Sequence, residues 1–220
     1  MVTLKRILLL VIFICITGMG SALSLKVAIG ANSWDAFTQS ISLVSGIQAG
    51  TVGMMFNCLF VVSQILLLRA SFRPLQLLQI PVSILLGSVV NFFLYTVFSD
   101  FEIENYLLRL LFLIATYIVL AFATAMVVSL NIVSFAAEGL CMAIAQKFKL
   151  NFGTLRQGFD VVCIAVAVLL TLLYGIQLTI REGSIIGMLL VGPLMGRFVD
   201  WMPMILTRLG VYKKTIPPMN

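Results

Sequence analysis

The amino-acid sequence predicts an all-α membrane protein in which six transmembrane helices form two inverted three-helix repeats. Three observations predict this fold class: the composition, the length of the apolar runs, and polar residues that recur in both halves. Only 10% of the 220 residues are charged and 61% are hydrophobic, whereas a soluble domain carries about 25% charged residues. This polar surface is too small to cover a water-soluble globule, so we expect the lipid bilayer to surround the chain.

Continuous apolar runs define the helices. One helical crossing of a bilayer needs about 20 apolar residues, whereas the strands of a membrane β-barrel alternate apolar and polar residues. Residues 7–13 and 161–174 are continuous runs, which favours helices. The predicted spans are residues 4–29, 50–68, 75–98, 107–133, 159–180 and 184–206. The first span is too long for the core of a signal peptide and ends without a small-residue cleavage site, so we expect it to be retained.

The charged residues sort by membrane face when the chain is threaded through these spans. One face receives ten basic residues: Lys5, Arg6, Arg69, Arg73, Lys147, Lys149, Arg156, Arg208, Lys213 and Lys214. The other receives five acidic residues and two clear basic ones: Asp35, Asp100, Glu102, Glu104, Glu182, Arg109 and Arg181. The positive-inside rule places the basic face and both termini in the cytoplasm. The net charge of +6 is dispersed along this rim, so we expect anionic lipid headgroups and no nucleic acid as its partner.

The residue types that carry most enzyme chemistry are missing. The sequence has no histidine, and its four cysteines lie in apolar stretches without metal-ligand spacing. Zinc sites, histidine-ligated haem and Ser-His-Asp catalysis therefore lack their usual residues. The motifs H-E-x-x-H and G-x-S-x-G are also absent, and the acidic residues do not cluster. We expect no enzyme activity, no metal and no cofactor.

Polar residues recur at a fixed offset in the two halves of the chain, residues 1–104 and 105–220. At an offset of 103 residues Asp35 pairs with Glu138, Gly50 with Gly153 and Asn57 with Asp160, and at an offset of 109 residues 87–91 pair with 196–200. Each half holds three spans, an odd number, so the second half must insert upside down relative to the first. Inverted repeats are frequent in secondary transporters. Chance similarity between apolar helices is the alternative.

Each half also contains a segment between its first two spans, residues 31–49 and 134–152, that we expect to form a short amphipathic helix. Apolar residues recur at helical spacing in both segments: Trp34, Phe37, Ile41 and Val44 in the first, and Leu140, Ile144 and Phe148 in the second. These helices either lie in the membrane interface or re-enter the membrane where protein or a water-filled cavity lines them.

Motifs along most of the chain follow the order found in a known family. They are Gly18-Met-Gly20-Ser-Ala-Leu, Asn32-Ser-Trp34-Asp35-Ala-Phe with Ser42, Ser45-Gly46-Ile-Gln-Ala-Gly50, Arg156-Gln-Gly-Phe-Asp160, Ile186-Gly187 and Val191-Gly192-Pro193. Over about residues 15–200 the chain thus resembles the YczE/YyaS/YitT family of bacterial integral membrane proteins. Ser33 replaces the usual proline, and residues 136–139 replace a G-P-x-D-G stretch. The resemblance implies the fold and a bacterial cell (inner) membrane location, but no established activity.

Ionisable residues within membrane spans are costly and are functional candidates by default. Asp160 is predicted about one turn into the fifth span, and Arg156 lies four residues earlier on the same helical face. These two side chains either form a local ion pair that lowers the cost of both, or they bind a substrate or a proton.

Four further residues complete the candidate substrate- or ion-binding set. Trp34 is either a membrane anchor or the wall of a pocket. Asp35 is either a helix N-cap or the group in that pocket that binds a cation or a proton. Glu138, the repeat counterpart of Asp35, has the same alternatives. Asn57 lies seven residues before Gln64 on nearly the same helix face. These two amides either line a polar path or bond neighbouring helices.

Two functions are consistent with this sequence. The first is a secondary transporter or permease for an unidentified small solute or ion, bound near the repeat interface and moved by alternating access. The second is a membrane-embedded binding, accessory or regulatory subunit that acts as a homodimer or with another membrane protein.

Overall fold

The computed structural model describes residues 4–211, and the regular secondary structure of this part of the chain is all helical, without a strand. Its α-helices are α1 (Leu4–Val27), α2 (Ser33–Ser45), α3 (Ala49–Leu68), α4 (Gln79–Phe92), α5 (Tyr106–Ser129), α6 (Ala136–Phe148), α7 (Phe152–Tyr174) and α8 (Glu182–Arg208). Lys213 and Lys214, which the sequence assigns to the cytoplasmic rim, lie outside the described residues.

Six helical segments of the described chain are long and apolar enough to cross a bilayer. They are Leu4–Val27, Ala49–Ser71, Pro74–Val97, Tyr106–Ser129, Phe152–Tyr174 and Glu182–Arg208. They contain α1, α3, α4, α5, α7 and α8, with a short 3-10 turn continuing α3 and a π-helical turn, Phe93–Val97, continuing α4. The prediction of six long apolar helices is confirmed.

The fifth predicted span is displaced along the sequence. α7 begins seven residues before the predicted start at 159 and ends six residues before the predicted end at 180. The Asn151 side chain accepts a hydrogen bond from the Thr154 N–H at 3.2 Å, which starts the helix early. Gly175 ends it in the left-handed conformation, with φ at 62°. Asp160 therefore lies about two turns into α7 rather than about one.

α5 is the most buried of the long helices, and α1 and α8 pack against it. The main apolar core is built from these helices and includes Leu10, Ile14, Met126, Leu130, Met202 and Leu206. The buried hydroxyl of Tyr117 donates toward the Gly183 carbonyl at 3.1 Å and the Gly30 carbonyl at 3.3 Å. This contact holds the connection between α1 and α2 against the start of α8.

The two predicted short helices are present as α2 and α6, and both pack against long helices of the other half. α2 packs mainly on α7 and less on α3, whereas α6 packs mainly on α3 and less on α7. Their buried residues include Phe37 and Ser40 of α2, and Gly139 and Cys141 of α6. The short helices therefore join the two halves of the chain.

The long helices differ in how closely they pack. α3 and α4 meet at Gly50 and Gly87, where a Cβ on Gly87 would lie 2.5 Å from the Gly50 carbonyl oxygen. α7 and α8 are the least buried spans, with 11% of the residues in the apolar window of each buried. A Cβ on Gly192 or Gly196 of α8 would meet no neighbouring atom within 4 Å. One side of the second half is thus uncovered by the described chain.

Candidate functional site

A group of charged residues lies where α6 meets α7. The Arg156 Nη1 atom lies 2.6 Å from Asp160 Oδ1, and its Nε atom lies 3.6 Å from Glu138 Oε1. These side chains retain 24–32% of their accessible surface, so they are half-buried. One guanidinium is therefore shared by two carboxylates from two helices.

The first residue of α2 completes this group. The Ser33 hydroxyl donates a hydrogen bond to Asp160 Oδ1. We call Ser33, Glu138, Arg156 and Asp160 the Arg156 cluster. It joins α2 of the first half to α6 and α7 of the second.

Aromatic rings cover one side of the cluster. The Trp34 ring stacks on Phe159 at 5.9 Å between centroids and on Phe37 at 5.5 Å, and it tilts against Phe60 at 5.8 Å. The Arg156 guanidinium lies 5.6 Å from the centre of the Phe159 ring, within cation–π distance. Trp34 is thus partly buried where α2 meets α3 and α7.

Glu138 leaves one acceptor of the cluster without a partner. Its Oε2 atom is buried and accepts no hydrogen bond from the described part of the chain. A buried carboxylate oxygen without a donor is costly, so the cluster has capacity for one more hydrogen-bond donor or cation.

Asp35 lies apart from the cluster and faces α1. Its carboxylate accepts hydrogen bonds from Ser21 Oγ at 2.9 Å and from Asn32 Nδ2 at 2.6 Å, and Ser24 Oγ lies 3.4 Å away. Only 5% of Asp35 is exposed. Burial raises the pKa of this carboxyl to about 6, although the three hydrogen bonds oppose the shift. Asp35 belongs to α2, which is too short to be a membrane span.

The N-cap of α2 is Asn32 and not Asp35. The Asn32 Oδ1 atom accepts the Asp35 N–H at 3.0 Å, so Asp35 is the third residue of the helix and not its cap. The Asp35 carboxylate accepts hydrogen bonds from side chains of α1 and of Asn32. The N-cap interpretation of Asp35 is therefore wrong.

The remaining predicted residues lie in α3. Gln64 is fully buried and donates to Gln79 Oε1 at 2.9 Å and to the Ala136 carbonyl at 3.2 Å. Gln64 therefore forms hydrogen bonds to neighbouring elements, which was one of the two roles predicted for it. Asn57 is also buried, but no hydrogen bond within residues 4–211 links it to the Arg156 cluster.

Sequence reasoning missed the hydroxyl residues that contact the two acidic groups. Ser33 directly precedes Trp34 and Asp35. The replacement of the usual proline by serine at this position could have indicated its role. Ser21 and Ser24 are three residues apart on one face of an otherwise apolar helix, a spacing that indicates a shared polar partner. That partner was not predictable because it lies on another helix.

Two cavities adjoin the end of α1. The wider cavity has a volume of about 560 Å³, and its polar lining residues are Lys26, Gln39, Tyr95, Ser99, Glu102 and Arg109. The narrower one has a volume of about 60 Å³ and is lined in part by Ser24, Gln39 and Thr179. Within residues 4–211, no group of three or more His, Cys, Asp or Glu residues is arranged to hold a metal ion.

Comparison with known proteins assigns a family but no activity. Residues 4–200 match the model of Family of unknown function (DUF6198). No curated protein and no solved structure gives a significant match. The more specific resemblance to the YczE/YyaS/YitT family stays a prediction. Because the match covers nearly the whole chain, this protein belongs to the DUF6198 family.

Proposed function

We propose that this protein is a secondary transporter of a small solute, with a binding site at the Arg156 cluster. The observation that carries the proposal is that residues from both halves of the chain meet around one arginine and its two carboxylates within a predominantly apolar helix bundle. Ionisable residues at membrane depth are expensive and usually mark a transport pathway. In this proposal the protein lies in the bacterial inner membrane with both termini in the cytoplasm.

The packing of the short helices supports the inverted repeat. The offset of 103 residues makes α6 the counterpart of α2, and α7 the counterpart of α3. α2 packs mainly on α7, and α6 packs mainly on α3. A two-fold relation between the halves requires this reciprocal exchange, whereas chance similarity of apolar segments does not.

The depth of α2 supports re-entry rather than an interfacial position. Trp34 contacts Phe60, eleven residues after the start of α3, and Ser33 bonds Asp160, eight residues after the start of α7. Both contacts lie well inside long helices, at about 16 Å and 12 Å from their first residues at 1.5 Å per residue. The N-terminus of α2 therefore reaches toward the middle of the bundle, where protein covers its polar groups as re-entry demands.

The cluster provides a mechanism for alternating access. Ser33 and Asp160 lie on opposite sides of the boundary between the halves, so rocking one half against the other changes their separation. A solute with a hydrogen-bond donor or positive charge satisfies Glu138 Oε2 and competes with Arg156 for its two carboxylates. Binding then loosens the contacts that join the halves, and solute release restores them.

The test is a search for a ligand that requires Asp160. The protein, purified in detergent, is heated with amino acids, carboxylates, sugars, nucleosides and inorganic ions, alongside Asp160→Asn and the control Arg197→Gln in α8. A ligand at a hundred times its Kd stabilises the folded state by about 2.7 kcal/mol. We expect a compound that raises the Tm of wild type and the control but not of Asp160→Asn. Its uptake by proteoliposomes then establishes transport; binding without uptake contradicts it.

The accessory-subunit alternative is favoured by the uncovered side of α7 and α8. Gly192 and Gly196 have the G-x-x-x-G spacing that lets membrane helices approach closely, yet no described element packs on them. If α8 docks on another membrane protein, that protein co-purifies in mild detergent and Gly196→Leu releases it. Transport by the purified protein alone contradicts this alternative.

A further inference from the structure

The narrower cavity lies beside the wider one and is lined by Ser24, which contacts the buried carboxylate of Asp35. The two cavities share Leu25, Ala28 and Gln39 in their linings, so they are neighbours. The narrower cavity, at about 60 Å³, has room for a small number of water molecules. The Gln39 Oε1 atom at their junction is buried and has no hydrogen-bond partner among residues 4–211. A water molecule at this junction would satisfy that atom.

Ser24 links the narrower cavity to Asp35. It lines the narrower cavity, and its hydroxyl lies 3.4 Å from Asp35 Oδ2 while donating to the Ser21 carbonyl at 2.9 Å. Rotation of this single hydroxyl moves its proton from the carbonyl toward the carboxylate. Ser21 also bonds Asp35 but does not line this cavity, which makes it a matched control.

The groups around Asp35 are not arranged to bind a metal cation. Ser21 and Asn32 direct hydrogens at the carboxylate, whereas a metal ion needs oxygen lone pairs directed at it. The wider cavity contains two cationic side chains, Lys26 and Arg109, and one carboxylate, Glu102.

Few charges act directly on Asp35 from the helices around it. Tyr117 of α5 is electrostatically coupled to it. From the loop before α8, Arg181 donates to the Ala28 carbonyl at 3.0 Å. Lys26 of α1 donates to the Ser99 carbonyl at 2.6 Å and lies in the wider cavity. Within the described chain no cation forms an ion pair with Asp35, so protonation is the available way to neutralise it.

We infer that Asp35 is the proton-binding group of the proposed transporter and exchanges its proton with the wider cavity through the narrower cavity and Ser24. In the uptake step, a hydronium ion in the narrower cavity gives a proton to Ser24 Oγ, and Ser24 gives its own proton to Asp35 Oδ2. The products are water and a neutral carboxyl, and no electron is transferred. The inference rests on the proposed function only for the role of the proton in transport.

The experiment follows the carbonyl band of the protonated Asp35 carboxyl by infrared difference spectroscopy, without any solute. We expect a band in wild type that titrates near pH 6 and is missing in Asp35→Asn. On rapid transfer into D₂O at pH 5 the band shifts as the proton exchanges for deuterium. Ser24→Ala slows this exchange by about tenfold, the factor expected for one lost hydrogen bond, whereas Ser21→Ala leaves it fast.

Two outcomes overturn the inference. A titrating band that persists in Asp35→Asn assigns the proton to another group. Equal rates of proton–deuterium exchange in Ser24→Ala and Ser21→Ala would show that the proton does not pass through Ser24. This comparison can be made even if Asp35→Asn does not fold. If liposomes take up a solute but either of these results is found, the protein is a transporter and Asp35 is not its proton site. The proposed function and this inference can therefore fail separately.

Discussion

Ser33, the first residue of α2, donates a hydrogen bond to Asp160, which lies 127 positions later in α7. This contact is the direct link between the short helix of the first half and the ion pair of the second half. It also places a helix N-terminus, which carries a partial positive charge, beside a carboxylate that already pairs with Arg156. Asp160 is therefore contacted by side chains from both halves of the chain.

Removing either partner of this ion pair should have unequal effects. Arg156→Gln leaves Glu138 and Asp160 near each other without their shared cation, so we expect the free energy of unfolding to fall by about 2–3 kcal/mol. Asp160→Asn leaves Arg156 paired with Glu138, so we expect a smaller loss of about 1–2 kcal/mol. Thermal unfolding in detergent measures both, with Arg197→Gln as the control. A coupling energy near zero in the double-mutant cycle contradicts the pair.

The buried amides Gln64 and Gln79 should stabilise the contact of α6 with α3 and α4. Gln64→Leu leaves Gln79 Oε1 without this donor and removes the side-chain bond to the Ala136 carbonyl, so we expect it to cost about 1–2 kcal/mol. Gln64→Leu combined with Gln79→Leu should cost less than the sum of the single changes. Ser63→Ala, which removes only a bond within α3, is the control. Additive losses in melting experiments would show that the two amides act independently.

The glycines at equivalent positions of α4 and α8 should respond in opposite directions. In Gly87→Ala the new Cβ meets the Gly50 carbonyl oxygen and Met54 Cγ at 2.5 Å, so we expect a loss of about 1–3 kcal/mol. In Gly196→Ala the Cβ meets no neighbour, and helix propensity favours alanine by about 1 kcal/mol. Melting temperatures in detergent compare the two. Destabilisation by Gly196→Ala would mean that a partner covers this face.

The stability of the protein should depend on pH through Asp35. Its pKa rises from the ordinary value of 3.8 to about 6 on folding, so between these values the folded state binds more protons than the unfolded state. The free energy of unfolding therefore falls as the pH rises from about 4 to about 6, by roughly 3 kcal/mol from this group. Asp35→Asn should remove this component, and the exposed Asp100→Asn should keep it. If the free energy of unfolding of Asp35→Asn depends on pH as that of wild type does, Asp35 is not a buried carboxyl with a raised pKa.

The number and approximate position of the long helices followed from local information. A run of about 20 apolar residues is a property of adjacent positions, so the six long helices could be predicted. The predicted boundaries of the fifth span differ from those of α7 because Asn151 and Gly175, rather than hydropathy, set where the helix begins and ends. The pairing of Arg156 with Asp160 was also predictable, because residues four apart on a helix are neighbours.

The partners of the acidic residues could not be predicted in the same way. Glu138 and Asp35 occupy equivalent positions in the repeat, and the sequence assigns them the same alternatives. In the structure Glu138 contacts an arginine and is half-buried, whereas Asp35 contacts only neutral donors and is almost fully buried. The difference depends on which helix lies opposite, and sequence periodicity carries no such information.

By itself, the sequence determined that this chain forms six long apolar helices, where its polar residues recur, and which residues share a helix face, because composition and spacing act locally. Only the tertiary structure decided that α2 packs on α7 and α6 on α3, that Ser33 bonds Asp160, and that Ser24 leads from a cavity to Asp35. These contacts join residues far apart in the chain, and the packing of whole helices selects them.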